Sequence, residues 1–257
     1  MAKQKIIIVG YPKSGNTWIT RLVAELVQCP VVGFLYSDLF ETAIEGLDRQ
    51  SEYECYKSHH QWHELNDEDK QNAKIIYVLR DPRDISISGR PYFFAWQSLI
   101  ETGKNTLPIR LINWLYRATP FADAKAQQLM NKAIFYGEEK VHQWCKVSWN
   151  DHLTPYLEKD NVLKIKYEDL LDDTFNGSKN ILNFIGIKKN EEEIKEAIEY
   201  QSFYKASKRH KKHNSDMASH FGQGKKEQWR IQMKNSEINE FASNLGDTLK
   251  TLNYPEK

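Results

Sequence analysis

The chain has 257 residues, 40% of them hydrophobic and 12% aromatic, enough to bury the core of one large domain or two small ones. Such a composition excludes disordered and low-complexity classes, and no apolar run approaches the roughly 18 residues of a membrane-spanning helix. With 36 basic and 35 acidic residues the net charge is +1, so nothing global recruits a polyanion such as nucleic acid.

The first apolar stretch is too short for a signal-peptide core. Cys29, Cys55 and Cys145 lack the paired spacing of a zinc site or a disulfide framework. A cytoplasmic protein with no membrane contact is expected. Lys5–Val9 (KIIIV) is short, continuous and β-branched, which predicts a strand buried on both faces of a parallel sheet. Beyond Gly15, apolar residues recur at Trp18, Ile19, Leu22, Val23, Leu26 and Val27, the spacing of a helical face. Ile75–Leu79 repeats the buried-strand signature and leads into a second turn, Arg80 to Arg83. From Ser88 to about Trp149, helical patterns carry many aromatics, among them Tyr92, Phe93, Phe94, Trp96, Trp114 and Tyr116. This stretch reads as a cover over the sheet, and its aromatics as the walls of a small-molecule pocket or as plain packing. Val162–Tyr167 is a third strand candidate, followed by a helical stretch to Ile185 that Gly186 terminates. Asn190 then caps a first turn of Glu191, Glu192 and Glu193. Strands alternating with helices predict an α/β fold with a central, mainly parallel sheet flanked by helices. Neither a repeat nor a linker divides the chain, so 1–257 reads as a single domain.

Gly10 to Thr17 follows the phosphate-loop pattern G-x-x-x-x-G-K-[ST] at Gly10, Gly15 and Thr17. Asn16 stands where the nucleotide-binding lysine belongs, and Lys13 lies inside the loop instead. Backbone amides at the helix start still converge on a phosphate, while the missing lysine disfavours kinase chemistry. A second positive feature is the run Lys205, Lys208, Arg209, Lys211 and Lys212, with His210 and His213 and no acid before Asp216. It reads either as a solvated loop or as a local anion site.

Tyr11 to Trp18 (YPKSGNTW) resembles the 5′-phosphosulfate loop of the cytosolic sulfotransferases, YPKSGTTW, with Asn16 for the first Thr. The resemblance continues in order along nearly the whole chain. It implies transfer of a sulfuryl group from 3′-phosphoadenosine 5′-phosphosulfate (PAPS) to a hydroxyl or amine of a small-molecule acceptor. Lys13, Ser14, Gly15, Asn16, Thr17 and Trp18 are then implied at the cofactor. Tyr77 to Ser88 (YVLRDPRDISIS) is similar to the family's 3′-phosphate motif, which implies Arg80 and Ser88 as ligands; the alternative pairs Arg80 with Asp81 or Asp84. Lys57-Ser58-His59 is similar to the family's KTH segment, implying Lys57 and His59 as catalytic groups beside Lys13, with His59 the general base. His60 and His63 keep that assignment open. Tyr167-Glu168-Asp169 looks like the family's YED turn at the adenine, and Ser202-Phe203 like its SF pair, whose ring stacks on the base opposite Trp18. Each of these rings is equally at home in a core. Ser148 to His152 (SWNDH) is similar to the family's SWYEH, which implies His152 on the acceptor side, with a structural histidine the competing reading; Phe93, from the aromatic stretch, is also expected to bind the acceptor.

The resemblance weakens at the family's C-terminal RKGxxGxWK. Gly222 and Gln223 replace the Arg-Lys pair, and Gly224, Trp229 and Arg230 agree in type. Lys225 and Lys226, or the basic run before them, are expected to supply the lost phosphate contacts. The family's dimerisation pattern KxxxTVxxxE is absent, which leaves the oligomeric state open. No His, Cys, Asp or Glu cluster has metal-ligand spacing. The remaining classes are a kinase with a modified loop and a non-catalytic nucleotide- or nucleic-acid-binding protein.

Overall fold

A computed structural model describes residues 3–37, 44–100, 120–202, 205 and 224–255. Phe203, Trp114, Tyr116, Gly222, Gln223 and the basic run apart from Lys205 lie outside the described residues. In chain order the strands are β1 (Gln4–Val9), β2 (Val31–Phe34), β3 (Tyr53–Ser58), β4 (Lys74–Leu79) and β5 (Val162–Lys166). The helices are α1 (Asn16–Val27), α2 (Asp67–Asn72), α3 (Pro82–Ile100), α4 (Pro120–Tyr136), α5 (Trp149–Leu157), α6 (Tyr167–Asp172), α7 (Thr174–Ile185), α8 (Glu191–Tyr200), α9 (Trp229–Gln232) and α10 (Asn235–Thr251). They group into two compact units, Met1–Arg80 with His152–Lys225, and Asp81–Asp151 with Lys226–Lys257. Among the described residues, no helix is long and apolar enough to cross a membrane.

The first unit holds a five-stranded parallel sheet in the order β2-β3-β1-β4-β5. β1 is central because Ile6 to Val9 have no exposed surface, as expected of a strand covered on both faces. Side chains alternate across it. Ile6 and Ile8 join one cluster with Trp18, Ile19, Leu22 and Val23 of α1, Ile76 and Val78 of β4, and Ile181, Leu182 and Ile185 of α7. Two elements have local stop and start signals of the predicted kind. Gly186 closes α7 with φ 94°, and Asn190 and Glu193 form a reciprocal capping box at the start of α8. β2 and β3 are additions to the three predicted strands, and the stretch from Val162 to Ile185 divides into β5 and two helices, with Asp173 capping the second.

In the strand order the chain moves from β1 to one side of the sheet and returns to the other for β4 and β5. The carboxyl end of β1 is therefore a topological switch point, the place where parallel sheets bind ligands.

The second unit packs α3 against α4, with Phe135 and Phe241 of α4 and α10 edge-to-face at 4.7 Å. Ser86, Gln127 and Asn131 bond to one another in its interior. Arg83, with almost no exposed surface, is held by Asp81 at 2.7 Å and lies 3.7 Å over the Trp229 ring. Asp84 accepts from the backbone amides of Glu227 at 2.6 Å and Trp229 at 3.1 Å. Glu227 occupies the second glycine position of the C-terminal family pattern and adopts φ 55°, a left-handed conformation that side chains resist. The Asp84 carboxylate is what holds that turn. Asp84→Ala strands two amide donors, and urea unfolding is expected to show a loss of about 1–3 kcal/mol; an unchanged midpoint would show the turn to be held otherwise.

Candidate active site

The site grows from the turn that follows β1. Gly10 sits against β4, where a Cβ would come within 2.8 Å of the Val78 carbonyl and 2.9 Å of Asn16 Oδ1. Ser14 N bonds back to the Tyr11 carbonyl at 3.1 Å. Lys13 at φ 71° and Gly15 at φ 96° are both left-handed. A Cβ on Gly15 would lie 2.5 Å from the Tyr167 ring, so both space and conformation demand glycine there. Gly15 provides no side-chain cap for α1, and the first turn of that helix carries no acid. The positive end of the helix is thus left to act on an anion in front of it.

Around this turn the chain gathers cations. Arg80, just past β4, donates from Nη1 to the Lys13 carbonyl at 2.7 Å and from Nη2 to the Lys225 carbonyl at 3.4 Å, and its guanidinium lies 4.6 Å over the Tyr167 ring. Lys13 keeps some surface, yet loss of solvent around its ammonium, with Lys57 and Arg80 nearby, lowers its pKa from 10.5 to about 7. Two buried donors, Ser14 Oγ and Arg80 Nε, make no hydrogen bond within the protein. Buried donors without acceptors are rare; among the described residues Ser178 Oγ and Trp229 Nε1 are two more, whereas Ser14 lies in the phosphate loop and Arg80 bonds to it from the end of β4. An anion bearing several oxygens is the ligand class that fits them.

His59 stands beside the loop, just past β3. Its Nδ1 lies 2.7 Å from the Gly10 carbonyl. The Asn16 amide nitrogen is also 3.3 Å from Nδ1, but the shorter contact is to a carbonyl, which only accepts, so Nδ1 carries the hydrogen and Nε2 is the basic nitrogen. Asn16 donates to the same carbonyl at 3.2 Å and to the Ser58 carbonyl at 3.0 Å, tying the ends of β1 and β3 together. His60 bonds to Ser58 Oγ at 3.0 Å through Nδ1 and packs against Phe34 and Tyr36. His63 is exposed on a short 3₁₀ turn, Trp62–Glu64. Of the three histidines considered in the sequence, His59 is the one bonded to the loop.

The remaining candidates distribute as follows. Trp18 is nearly buried, edge-to-face with Tyr167 at 5.7 Å, and donates to the Gln201 carbonyl at 3.2 Å. The Gln201 amide reaches Glu25 and Glu45, and Arg49 and Arg21 meet these same carboxylates. This buried network immediately precedes Ser202, which is half-buried. No periodicity in the sequence marks it. Lys57 lies on β3, opposite Ile8 of β1, and Thr17 opens α1. Gly224 adopts φ 60°, and Lys225 meets Arg80 through its carbonyl while its residue is exposed. Ser88, Phe93 and Lys226 belong to the second unit. Ser88 is half-buried on α3, and Phe93 is buried against Tyr92 and His142. Asp81 and Asp84, the alternative partners for Arg80, engage Arg83 and the Glu227 turn respectively. His152, which the resemblance puts on the acceptor side, has no exposed surface, and both of its ring nitrogens bond to protein groups.

A profile of the sulfotransferase domain family matches residues 3–252. The 3-alpha-hydroxysteroid sulfotransferase of Cavia porcellus is 29% identical over 211 residues, covering 77% of this chain and 64% of that protein. Sulfotransferase 2A1 of Rattus norvegicus is 27% identical over 214 residues, 78% of this chain and 66% of the relative. The matched part therefore spans somewhat less than two thirds of the length of these relatives. Among solved structures, mouse sulfotransferase SULT7A1 complexed with PAP superposes with a TM-score of 0.67 at 22% identity, covering 96% of this chain and 84% of that one. Retinol dehydratase in a complex with retinol and PAP gives 0.66 at 17% identity, covering 97% and 82%. These likenesses show a shared fold.

A lysine whose pKa is lowered to about 7 is charged below that pH and loses its charge above it. Bound anion favours the charged form, so binding above neutrality takes up a proton. Affinity for sulfate, an anion fully ionised across the range, is expected by calorimetry to fall as pH rises through about 7. Lys13→Arg, charged throughout, should flatten that fall; a wild-type profile already flat would contradict the desolvated ammonium.

Proposed function

The chain belongs to the sulfotransferase domain family, and from that membership we propose that it transfers a sulfuryl group from PAPS to a hydroxyl or amine of a small-molecule acceptor. The observation that carries this reading is a turn whose Ser14 hydroxyl is buried without a partner, with the partnerless Nε of Arg80 beside it, next to a histidine bonded to the same turn through Nδ1. Those donors fit an oxyanion, and the uncapped start of α1 supports the same ligand. When bound, PAPS supplies the sulfuryl group and departs as 3′,5′-bisphosphoadenosine.

His59 takes the proton from the acceptor at Nε2, since Nδ1 is committed to Gly10. Lys13 and the amides from Gly15 to Thr17 oppose the negative charge that grows on the leaving side, and the turn orients them before reaction begins. Lys57, held on β3, adds a second positive charge. Trp18, Tyr167, Ser202 and Phe203 are assigned to the adenine. Arg80, Ser88, Gly224, Lys225 and Lys226 are assigned to the 3′-phosphate. The names of the hydroxysteroid sulfotransferases and the retinol complex support an apolar, hydroxyl-bearing acceptor.

Radiolabelled PAPS offered with phenol and steroid alcohol panels is expected to yield a sulfated product, whereas ATP with magnesium yields none. Phosphoryl transfer instead would overturn the reading. His59→Ala should lower kcat by roughly 100-fold or more while keeping bisphosphoadenosine affinity; near-normal turnover would pass the base to His60 or His63. Lys225→Ala and Lys226→Ala should each weaken bisphosphoadenosine more than adenosine 5′-phosphosulfate, by about tenfold or more for a lost charged hydrogen bond. Equal effects on both ligands would remove the two lysines from the 3′-phosphate.

A further inference from the structure

His152 is a fully buried histidine that the assigned chemistry leaves unused. It lies on α5 one turn before Tyr156, and the two side chains reach consecutive carbonyls of the segment past β3. His152 Nε2 lies 3.0 Å from the carbonyl of His59, and the Tyr156 hydroxyl donates to the carbonyl of His60 at 2.8 Å. Because a carbonyl can only accept, Nε2 of His152 carries the hydrogen and Nδ1 must accept. The Tyr77 hydroxyl, 2.8 Å away, supplies that hydrogen bond.

Tyr77 belongs to β4 and lies opposite Val9 of β1. The imidazole is therefore a rigid link from the sheet to the backbone of His59. Its surroundings keep it in place and uncharged. Tyr11 packs against it edge-on at 5.7 Å, Tyr77 and Tyr156 flank it, and burial lowers its pKa to about 4. Protonation would set an N–H against the Tyr77 hydroxyl and force that hydroxyl to turn; the neutral ring keeps the chain of donors running one way.

His59 is consequently restrained at two points. Its ring is held by the Gly10 carbonyl through Nδ1, and its backbone by His152 through the carbonyl. A core histidine satisfied by any nearby carbonyl would have no such consequence. We propose that His152 is a positioning residue for the general base, its Nδ1 anchored to the sheet by the hydroxyl of Tyr77 and its Nε2–H fixing the His59 peptide. The proposal rests on His59 being the base.

The test compares kcat with bisphosphoadenosine affinity in three variants of the full chain. His152→Leu removes both bonds and should lower kcat by roughly 10- to 100-fold, the scale of a misplaced catalytic group, with bisphosphoadenosine Kd within about twofold. His152→Gln, whose amide nitrogen falls near the position of Nε2, should recover most of the loss. Tyr77→Phe should fall between them. Normal kcat in His152→Leu overturns the proposal, as does a parallel loss of kcat and nucleotide affinity, which marks a purely structural role. If His152→Leu does not fold, the other two variants decide: His152→Gln near wild type with Tyr77→Phe reduced supports the proposal, and full turnover in Tyr77→Phe overturns it. Full turnover in His59→Ala instead removes the base assignment itself, and so separates the two failures.

Discussion

Parallel pairing of β1 with β3 sets Val9 opposite Ser58, so Gly10 and His59 leave the sheet side by side. The Gly10 carbonyl, released from the ladder at that point, takes the His59 ring and the Asn16 amide together. Loop and histidine are thereby joined through one oxygen. The proximity comes from strand register, and a slip of one residue along β3 would turn His59 to the opposite face. Everything attributed to the site presupposes that pairing, including the tautomer of His59 and the orientation of the turn that carries Lys13.

Electrostatically the turn is built against its own stability. Lys13 loses solvent near two other cations, Arg80 is spread over an aromatic ring, and two buried donors have no acceptor. Each partnerless donor costs on the order of 1–3 kcal/mol. Left-handed Lys13 adds conformational strain. A left-handed Lys13 and an unmet Ser14 hydroxyl in the turn, with the unmet Nε of Arg80 beside it, are what the proposed anion would satisfy. The surrounding core, formed by α1, α7 and the inward side chains of β1 and β4, is dense and apolar, and it holds the strained turn in place.

The second unit shows a parallel use of buried charge. Asp81 orients Arg83 over Trp229, while Asp84 captures two amides of the turn before α9. Glu227 stands where the related pattern has glycine, and the carboxylate of Asp84 compensates for the strained φ. Departures from the family pattern at Asn16 and at Glu227 thus each have a local partner that accommodates them.

Local patterns were enough to read β1, β4 and β5, the helix after Gly15, the Gly186 stop and the Asn190 cap, because periodicity and capping act over a few neighbouring residues. The loop chemistry was legible for the same reason: Gly10, Lys13 and Gly15 lie within one turn. β3 was not, since Tyr53–Ser58 is a half-buried polar sequence with no continuous apolar run, and β2 is a four-residue edge strand. Which histidine faces the loop, and what His152 does, came only from the tertiary structure. His59 meets Gly10 across 49 residues of chain, and His152 meets His59 across 93. Both bonds end on backbone carbonyls, which every residue possesses, so nothing in the side-chain sequence could mark them.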